Sequence, residues 1–178
     1  EVSDYSTTID GTNITNSYTP GKTSVTVTKA WNDKNNQDGL RPGSIQVQLY
    51  ADGKAVGEAI DLTENKDWTY TWSDLDQKAS GKTIVYTVKE LTAVEGYTTS
   101  IDDSEQGNVV ITNNHTPETT AIKGTKIWND KDNQDGKRPD TITVNLLADG
   151  KAVDSKEVTS TDGWTYEFTN LPKYQNGQ

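Results

Sequence analysis

The sequence predicts an all-β fold made of tandem sandwich repeats, and three observations lead to this prediction. Thr, Val, Tyr and Trp recur in alternating runs, which favours strands. Long apolar stripes with a helical period are absent. A block of motifs recurs 97 residues further along the chain, which is typical of repeat architectures. Only 30% of the 178 residues are hydrophobic, so each repeat has a thin core with a solvated face.

The repeat is defined by four matched segments. The longest runs from Lys29 to Pro42 and recurs almost unchanged from Lys126 to Pro139. The shorter matches are Ala51–Val56 with Ala148–Val153, Trp68–Tyr70 with Trp164–Tyr166, and Asn13–Asn16 with Val110–Asn113. Matches that keep the same order and spacing indicate one structural unit repeated along the chain.

These matches divide the chain unevenly. Residues 1–20 are the C-terminal strand fragment of a preceding repeat, 21–117 form a complete repeat, and 118–178 form a partial repeat that lacks its last strands. Thr-Pro pairs at 19–20 and 116–117 mark the junctions, because Pro disfavours continued strand pairing. Such short linkers predict neighbouring modules that stack end to end.

Seven strands follow in order within the complete repeat. They are predicted at about 24–31, 44–51, 55–62, 67–73, 83–91, 96–101 and 108–114. Gly-containing turns separate several of them, at 37–39, 51–53, 80–81 and 106–107. Short strands at this spacing are typical of a sandwich or a barrel.

Composition excludes several classes of function. The formal net charge of -10 argues against nucleic-acid binding, which needs basic patches. The chain has no Cys and no Met, which excludes disulfides, thiol catalysis and thiolate metal sites. A small extracellular core without disulfides needs some other stabilising element. No signal peptide, membrane-spanning run or anchor motif is present and the first residue is not Met, so we interpret the chain as an excised fragment.

Three predicted strands each place one polar residue on an apolar face, because alternate residues of a strand share a face. These residues are Lys29, Glu90 and Asn113. The apolar faces consist of Val25, Val27 and Trp31; Ile84, Tyr86 and Val88; and Val109 and Ile111. A buried charge is costly unless it is paired, so either the three groups meet or each reaches solvent at a strand end. The Lys and Asn positions recur as Lys126 and Asn16.

The order of these motifs is specific. The segment 28–42, the run Tyr86–Glu90 and the run Ile111–Asn113 resemble, together and in this order, the B-type repeats of Gram-positive collagen adhesins and pilins. The resemblance to these CnaB-like domains covers all of 21–117 and extends into both flanking fragments. It implies an immunoglobulin-like sandwich whose first and last strands are parallel.

The resemblance also implies a chemistry. In such domains a Lys on the first strand forms an intramolecular isopeptide bond to an Asn on the last strand, assisted by a buried acid. The matching positions are Lys29, Asn113 and Glu90 as the catalytic acid. Apolar burial would favour a neutral amine and a protonated acid, and ammonia would leave once per molecule. We therefore expect self-processing without enzymatic turnover and without a cofactor.

The function implied is structural. The chain is expected to be a stalk module of an extracellular, cell-wall-anchored surface adhesin or pilin, with the anchor outside this fragment. Its expected partners are neighbouring repeats of the same array. No motif specifies a host ligand, and neither nucleic acid nor membrane is an expected partner.

The two partial repeats together lack the counterpart of Thr83–Thr92, the strand that carries the acid. Two explanations stay open. Either the ends mark where a natural array was cut, or the chain is a permuted or split scaffold. In the second case a strand peptide resembling 84–90 would complete residues 118–178 by β-augmentation. Lys126 and Asn16 would then be orphan reactive positions that meet between molecules, giving head-to-tail association.

The sequence also contains candidate sites for two binding functions, calcium binding and ligand binding. The loops that begin at Asp33 and Asp130 resemble calcium loops, but Ser44 and Thr141 stand where an EF-hand has Glu. The alternative is an Asx-rich loop that ends in a turn. An aromatic platform for a ligand is the second function, formed by Trp68, Tyr70 and Trp72; the alternative is that all three pack in the core.

A hydrolase is disfavoured by the motifs. No nucleophile elbow, zinc signature or phosphate loop is present, so no metal site is expected. The single histidine, His115, lies beside a Thr-Pro junction and is predicted to be a linker residue.

Overall fold

The structure is a computed structural model that describes residues 2–178. It consists of strands with one 3-10 turn at Glu64–Lys66, which confirms the predicted all-β class. The first eight strands are β1 Ser6–Asp10, β2 Asn13–Ser17, β3 Lys22–Asn32, β4 Ser44–Ala51, β5 Lys54–Thr63, β6 Thr69–Asp76, β7 Lys78–Ala79 and β8 Lys82–Thr83. The others are β9 Tyr86–Glu90, β10 Thr98–Glu105, β11 Asn108–Asn114, β12 Thr119–Thr125, β13 Thr141–Ala148, β14 Lys151–Thr159 and β15 Thr165–Pro172.

The strands group into two compact units. The first unit extends to Asn35 and continues over Leu40–His115, and the second comprises Asn36–Gly39 and Thr116–Gln178. Within residues 2–178 no helix has the length and apolarity needed to cross a bilayer.

The first unit is a sandwich of two sheets. One sheet has four strands in the order β10-β11-β3-β6, and the other has three in the order β5-β4-β9. The pair β11–β3 is parallel, whereas the other pairs of both sheets are antiparallel. The first and last long strands of the repeat therefore run side by side in the same direction, as the resemblance to CnaB-like domains implies.

The core of the first unit lies between these sheets. Along β3 burial alternates with a period of two, so Val25 and Val27 point inward. The complete set of buried apolar residues is Val25, Val27, Ile45, Val47, Leu49, Leu62, Val88, Val109 and Ile111. Each such side chain contributes about 1.5–3 kcal/mol relative to its exposed state. The core therefore joins both sheets and fixes the face on which neighbouring polar residues lie.

Five of the seven strands predicted in the complete repeat have different bounds in the structure, and two of these differences have a local cause. The strand predicted at 83–91 is interrupted, because the backbone of Val85 bonds to Asp52 in the turn between β4 and β5. The strand predicted at 67–73 begins only at Thr69. Asp67 and Trp68 adopt left-handed backbone conformations, with φ of 52° and 55°, which turn the indole out of the strand.

The hairpin β1–β2 stands apart from both sheets. Its strands pair with each other from Ser6↔Ser17 to Asp10↔Asn13, and every residue of both strands is exposed. Apolar Ile9 and Ile14 face each other but remain 72% and 69% exposed.

The second unit contains two two-stranded sheets, β12-β15 and β13-β14. Its buried apolar residues are Leu146, Val158 and Phe168. Ile122 on β12 is 48% exposed, whereas Val25, the residue at the matching repeat position in β3, is 4% exposed. The second unit thus has the strands of the first part of a repeat but a smaller core.

Candidate functional site

The polar residues predicted on apolar faces come from both sheets of the first unit. Lys29 lies on β3, opposite Ile111 of the parallel strand β11, and Asn113 lies two residues further along β11. Side chains at such diagonal positions share a face and are within reach of a long side chain. Glu90 lies on β9 of the other sheet. The register thus directs an amine and an amide from one sheet towards an acid on the other.

All three side chains are withdrawn from solvent. Lys29 is 4% exposed and Asn113 is fully buried, while Glu90 is half-buried. The Asn113 Nδ2 donates a hydrogen bond to Glu90 Oε1 at 3.0 Å. The second carboxyl oxygen, Oε2, is buried without a hydrogen-bond partner among residues 2–178. The acid is therefore bound to the amide nitrogen and keeps one oxygen available for a proton.

The amine of Lys29 is held by backbone carbonyls. Its Nζ donates to the carbonyl of Ala30 at 2.8 Å and to that of Ile111 at 3.5 Å. The second contact reaches across to β11, the strand that carries Asn113. The lysine side chain consequently extends along the shared face towards the amide.

Burial shifts both titrating groups towards their neutral forms. It lowers the pKa of Lys29 to about 8, with the charge of Arg41 lowering it further and those of Glu90 and Asp33 opposing. Burial also raises the pKa of Glu90, against the hydrogen bond from Asn113 and the charge of Lys29. A neutral amine and a protonated acid beside an amide are the protonation states that acyl transfer to nitrogen requires.

Aromatic rings cover the amine. The Nζ of Lys29 lies 3.9 Å from the centroid of the Trp31 ring. Trp31 in turn makes edge contacts with Trp68 at 5.2 Å and with Tyr97 at 5.3 Å between centroids. The left-handed conformation of Trp68 allows this contact, and its carbonyl accepts from the backbone N–H of Lys29. The rings therefore form part of the cover that leaves Lys29 only 4% exposed.

A buried ion pair lies at the end of this aromatic cluster. Asp33 is 1% exposed and accepts two hydrogen bonds from Arg41, at 3.0 and 2.6 Å. It also accepts one from the Tyr97 hydroxyl at 2.8 Å. The carboxylate proposed as a calcium ligand is thus engaged by protein donors, and no cluster of metal-ligating side chains exists in the part of the chain that the structure describes. The eight-residue spacing of Asp and Arg, shared by both repeats, was a signal for this pair that sequence reasoning missed.

Thr99 is a second contact that sequence reasoning missed. It lies on β10 directly opposite Asn113, and its Oγ1 donates to Asn113 Oδ1 at 2.8 Å. The amide group of Asn113 therefore has a separate partner at each end, Thr99 at oxygen and Glu90 at nitrogen. An exposed Thr in a run of polar residues gives no polarity contrast that would have singled it out.

The proposed aromatic platform is divided between core and surface. Trp68 and Trp72 pack against the hydrophobic core, whereas Tyr70 is 37% exposed and contacts Trp72 at 5.1 Å. The prediction that His115 is a linker residue is wrong. Its Nδ1 lies 2.8 Å from the carbonyl of Gly96 and its ring contacts Tyr97, so it is fixed within the first unit.

Comparison with known proteins assigns the family. The sequence profile described as "Cna protein B-type domain" matches residues 25–114 and 122–178. The chain belongs to the Cna protein B-type domain family. The resemblance inferred from the motifs is thereby confirmed.

Relatives of this B-type chain are repeats of a surface adhesin. A Staphylococcus aureus protein described as collagen adhesin is 59% identical over 177 residues, covering 99% of this chain and 15% of that protein. The crystal structure of two B repeat units (B1B2) of the collagen binding protein of Staphylococcus aureus matches with a TM-score of 0.85 and 57% identity, covering 100% of this chain and 48% of that one. The chain thus spans a small part of the adhesin and about half of the two-unit structure.

The second B-type match contains half of the same site. The backbone N–H of Lys126 donates to the carbonyl of Trp164. The Lys126 Nζ donates to the backbone carbonyl of Ile127 at 3.1 Å and lies 4.5 Å from the centroid of the Trp128 ring. Trp128 contacts Trp164 edge-on at 5.1 Å. Each contact repeats one made by Lys29, although Lys126 itself is exposed.

The hairpin carries the complementary half. Thr7 lies opposite Asn16, and its Oγ1 donates to Asn16 Oδ1 at 2.7 Å, as Thr99 does to Asn113. Asn16 belongs to the first unit and Lys126 to the second. Residues 118–178 therefore keep the local contacts of the lysine, and residues 1–20 keep the contact between the Thr hydroxyl and the Asn amide oxygen.

Proposed function

We propose that this chain is a structural stalk segment of a bacterial surface adhesin whose complete repeat is covalently braced by a bond between Lys29 and Asn113. The observation that carries the proposal is the hydrogen bond between the Glu90 carboxyl and the buried amide of Asn113, on the face that also holds the buried amine of Lys29. The kinship with B repeat units of an S. aureus adhesin supports the stalk role. An extracellular, cell-wall-anchored location of the parent protein, as in Gram-positive adhesins, is part of the same proposal.

The reaction needs no external reagent. The neutral Nζ of Lys29 attacks Cγ of Asn113, forming a C–N bond, and the bond from Cγ to Nδ2 breaks. Glu90 donates its proton to the departing nitrogen, which it already contacts at 3.0 Å, and accepts one from the amine. The products are an amide and one ammonia. Fixed proximity of amine and amide replaces the encounter of two molecules and supplies much of the rate.

The two pKa shifts predict the pH dependence of this reaction. The reactive state requires a neutral Lys29 and a protonated Glu90 at the same time. Between the raised pKa of Glu90 and the pKa of about 8 for Lys29, a rise in pH removes protonated Glu90 by the same factor by which it increases neutral Lys29. The rate is therefore constant in this range. Above pH 8 the amine is already neutral while the acid continues to deprotonate, and the rate falls. Below the pKa of Glu90 the acid is saturated while the amine continues to protonate, and the rate falls again.

Intact mass tests the bond. The purified chain is expected to be lighter than its sequence by one ammonia, and tandem mass spectrometry should show a branched peptide that joins Lys29 to Asn113. The variant Glu90→Gln keeps the size of the side chain but has no transferable carboxyl proton, so it should retain the full sequence mass. Lys126→Arg is the matched control and should show the same loss as the unmodified chain. A full-mass chain with free Lys29 would contradict the proposal.

The covalent brace would determine how the stalk responds to force. It joins β3 to the parallel strand β11, so tension on the chain bypasses the residues between them. Lys29 and Asn113 are 84 positions apart in the sequence, which corresponds to an extended length of about 290 Å. Single-molecule stretching of Glu90→Gln should release about that length when the first unit unfolds, whereas the unmodified chain should not. Release of the same length by both proteins would argue against the stalk mechanism.

A second candidate is assembly through the fragments. We infer that 118–178 and 1–20 are complementary parts of one module, with Lys126 and Asn16 as its reactive pair. The preserved contacts of both halves support this inference. A peptide with the sequence of Thr83–Thr92 would supply the missing acid and strand.

Denaturing electrophoresis with and without that peptide tests assembly. Covalent head-to-tail oligomers are expected only when the peptide is present, and they should be absent with Lys126→Arg or Asn16→Ala. Lys29→Arg is the matched control and should leave the oligomers unchanged. Monomers under every condition would exclude this second candidate without affecting the first.

A further inference from the structure

We propose that Thr99 is a catalytic residue of isopeptide formation, whose hydroxyl stabilises the negative charge that develops on the amide oxygen of Asn113. The inference deepens the proposed function and rests on it. It assigns the reaction an oxyanion donor in addition to the amine and the acid.

The geometry places the donor on the atom where charge accumulates. Thr99 lies on β10 directly opposite Asn113, and its Oγ1 donates to Oδ1 at 2.8 Å. When an amine attacks an amide carbon, the carbonyl electrons move onto this oxygen. A hydrogen-bond donor at 2.7–3.1 Å from that position stabilises the tetrahedral intermediate more than the planar amide.

The same hydrogen bond orients the amide. Because Oδ1 is bound to Thr99, the Nδ2 group of Asn113 points to Glu90, which it contacts at 3.0 Å. A flipped amide would present its oxygen to the acid and its nitrogen to the hydroxyl, which would leave the departing nitrogen without a proton donor. Thr99 thus determines which end of the amide receives the proton that Glu90 delivers.

Atoms and charge balance with this third group included. Nucleophilic attack by Lys29 Nζ places one negative charge on Oδ1, and the Thr99 hydroxyl donates to it without transferring its proton. Glu90 moves one proton from Nζ to Nδ2, so the carboxyl is regenerated. Collapse of the intermediate restores the carbonyl and releases ammonia, and Thr99 then donates to the carbonyl of the new bond.

The hairpin gives an independent occurrence of the pair. Thr7 Oγ1 donates to Asn16 Oδ1 at 2.7 Å across β1 and β2, where every residue is exposed. The Thr and the Asn are 9 residues apart in this hairpin but 14 apart across β10 and β11, where the strand register shifts between Asp102 and Glu105. The Thr–Asn contact forms in both hairpins, with and without a surrounding core. It is therefore a property of the strand register and not a consequence of how the core packs.

The rate of ammonia loss tests the role of Thr99. The full chain is translated in a cell-free system, translation is stopped, and intact mass is followed over time between pH 6 and 9. Thr99→Val removes the hydroxyl at constant shape and should slow the reaction by about 100-fold, as removal of one oxyanion donor does. Thr99→Ser keeps the hydroxyl and should react close to the unmodified rate.

Thr98→Val is the matched control, because it makes the same substitution on the opposite face of β10 and should leave the rate unchanged. The pH profile of Thr99→Val should keep its shape, since the titrating groups are Lys29 and Glu90. Equal rates for Thr99→Val and Thr98→Val would overturn the role of Thr99 while leaving the bond intact. A Thr99→Ser rate as slow as that of Thr99→Val would also overturn it. No loss of ammonia by the unmodified chain would instead remove the proposed bond itself.

Discussion

Lys29 and Lys126 occupy the same local setting but differ in burial. Each backbone N–H donates to a Trp carbonyl at 2.8 Å, and each Nζ lies near a Trp ring, at 3.9 Å for Lys29 and 4.5 Å for Lys126. Lys29 is nevertheless 4% exposed, whereas Lys126 is exposed. Local contacts therefore position the amine, and burial is what changes its acid-base chemistry.

The difference is explained by two strands. In the first unit β11 pairs with β3 beside Lys29, and β9 adds an acid from the facing sheet. In the second unit β12 pairs only with β15 among the described strands. In both units the aromatic cover is formed by the Trp two residues after the Lys and by a second Trp that immediately precedes β6 or β15. The later strands exclude water, shift the pKa of the amine and provide its reaction partner.

The largest expected effect is on the stability of the first unit. Glu90→Gln should leave the loop between Lys29 and Asn113 open and lower the free energy of unfolding by about 4–5 kcal/mol, because closing a loop of that length restricts the unfolded chain. Hydrogen exchange measures this effect at the amides of β3 and β11.

Amides of β12 and β15 serve as the internal control and should keep their exchange rates. Lys126→Arg should leave the protection of β3 unchanged. Equal protection of β3 in Glu90→Gln and in the unmodified chain would show that no covalent link stabilises the first unit.

The second effect concerns the two Asp–Arg pairs. The Asp33 side chain is 1% exposed, whereas that of Asp130 is 31% exposed, although both accept from an Arg eight residues later. In the Glu90→Gln background, Asp33→Ala should destabilise the first unit by about 3 kcal/mol, because it removes a buried carboxylate that accepts hydrogen bonds from Arg41 and from the Tyr97 hydroxyl. Asp130→Ala should have a smaller effect on β12, since water already reaches the Asp130 carboxylate in the folded protein. Hydrogen exchange of β3 and β12 compares the two, and equal losses would contradict the role given to burial.

Strand parity was sufficient to predict much of the site. Alternation along β3, β9 and β11 singled out Lys29, Glu90 and Asn113, because a polar residue on an apolar face is conspicuous in a sequence. Parity fixes the face of a side chain within one strand but not its neighbours across strands. The Asn113–Glu90 hydrogen bond therefore became visible only with the register of both sheets.

Other parts of the site carried weaker signals. Thr99 contacts the amide only through strand register, and its neighbours on β10 are also polar. The contact of Tyr97 with Asp33 joins residues 64 positions apart. Trp68 was assigned to a strand, but its left-handed backbone places the ring against Trp31 instead. Side-chain networks between loops and single-residue backbone changes have no periodic pattern, so sequence alone could not predict them.

The third effect is on amine reactivity. A limiting dose of an acylating reagent should label Lys126 at least about 100-fold faster than Lys29 in the Glu90→Gln variant, because a buried amine reacts only when the structure opens. Lys54 and Lys151 are the matched control pair. They are the first residues of the equivalent strands β5 and β14, both are exposed, and they should be labelled at similar rates. Peptide mass spectrometry gives all four rates, and comparable labelling of Lys29 and Lys126 would contradict the difference in burial.

The smallest effect is on the titration of Asp130. The hydrogen bonds from Arg138 lower the pKa of this carboxyl to about 2, with a further contribution from the backbone N–H of Asn133. A carboxyl whose folded pKa lies below its ordinary value of 3.8 stabilises the folded state above pH 3.8, and this contribution is lost as the pH falls through about 2. Arg138→Ala should return the midpoint, measured by carboxyl NMR, towards 3.8 and remove this acid dependence from β12. If the midpoint is already near 3.8 in the unmodified chain, the Asp–Arg contact of the second unit does not persist in solution, and only the buried pair of the first unit is a structural element.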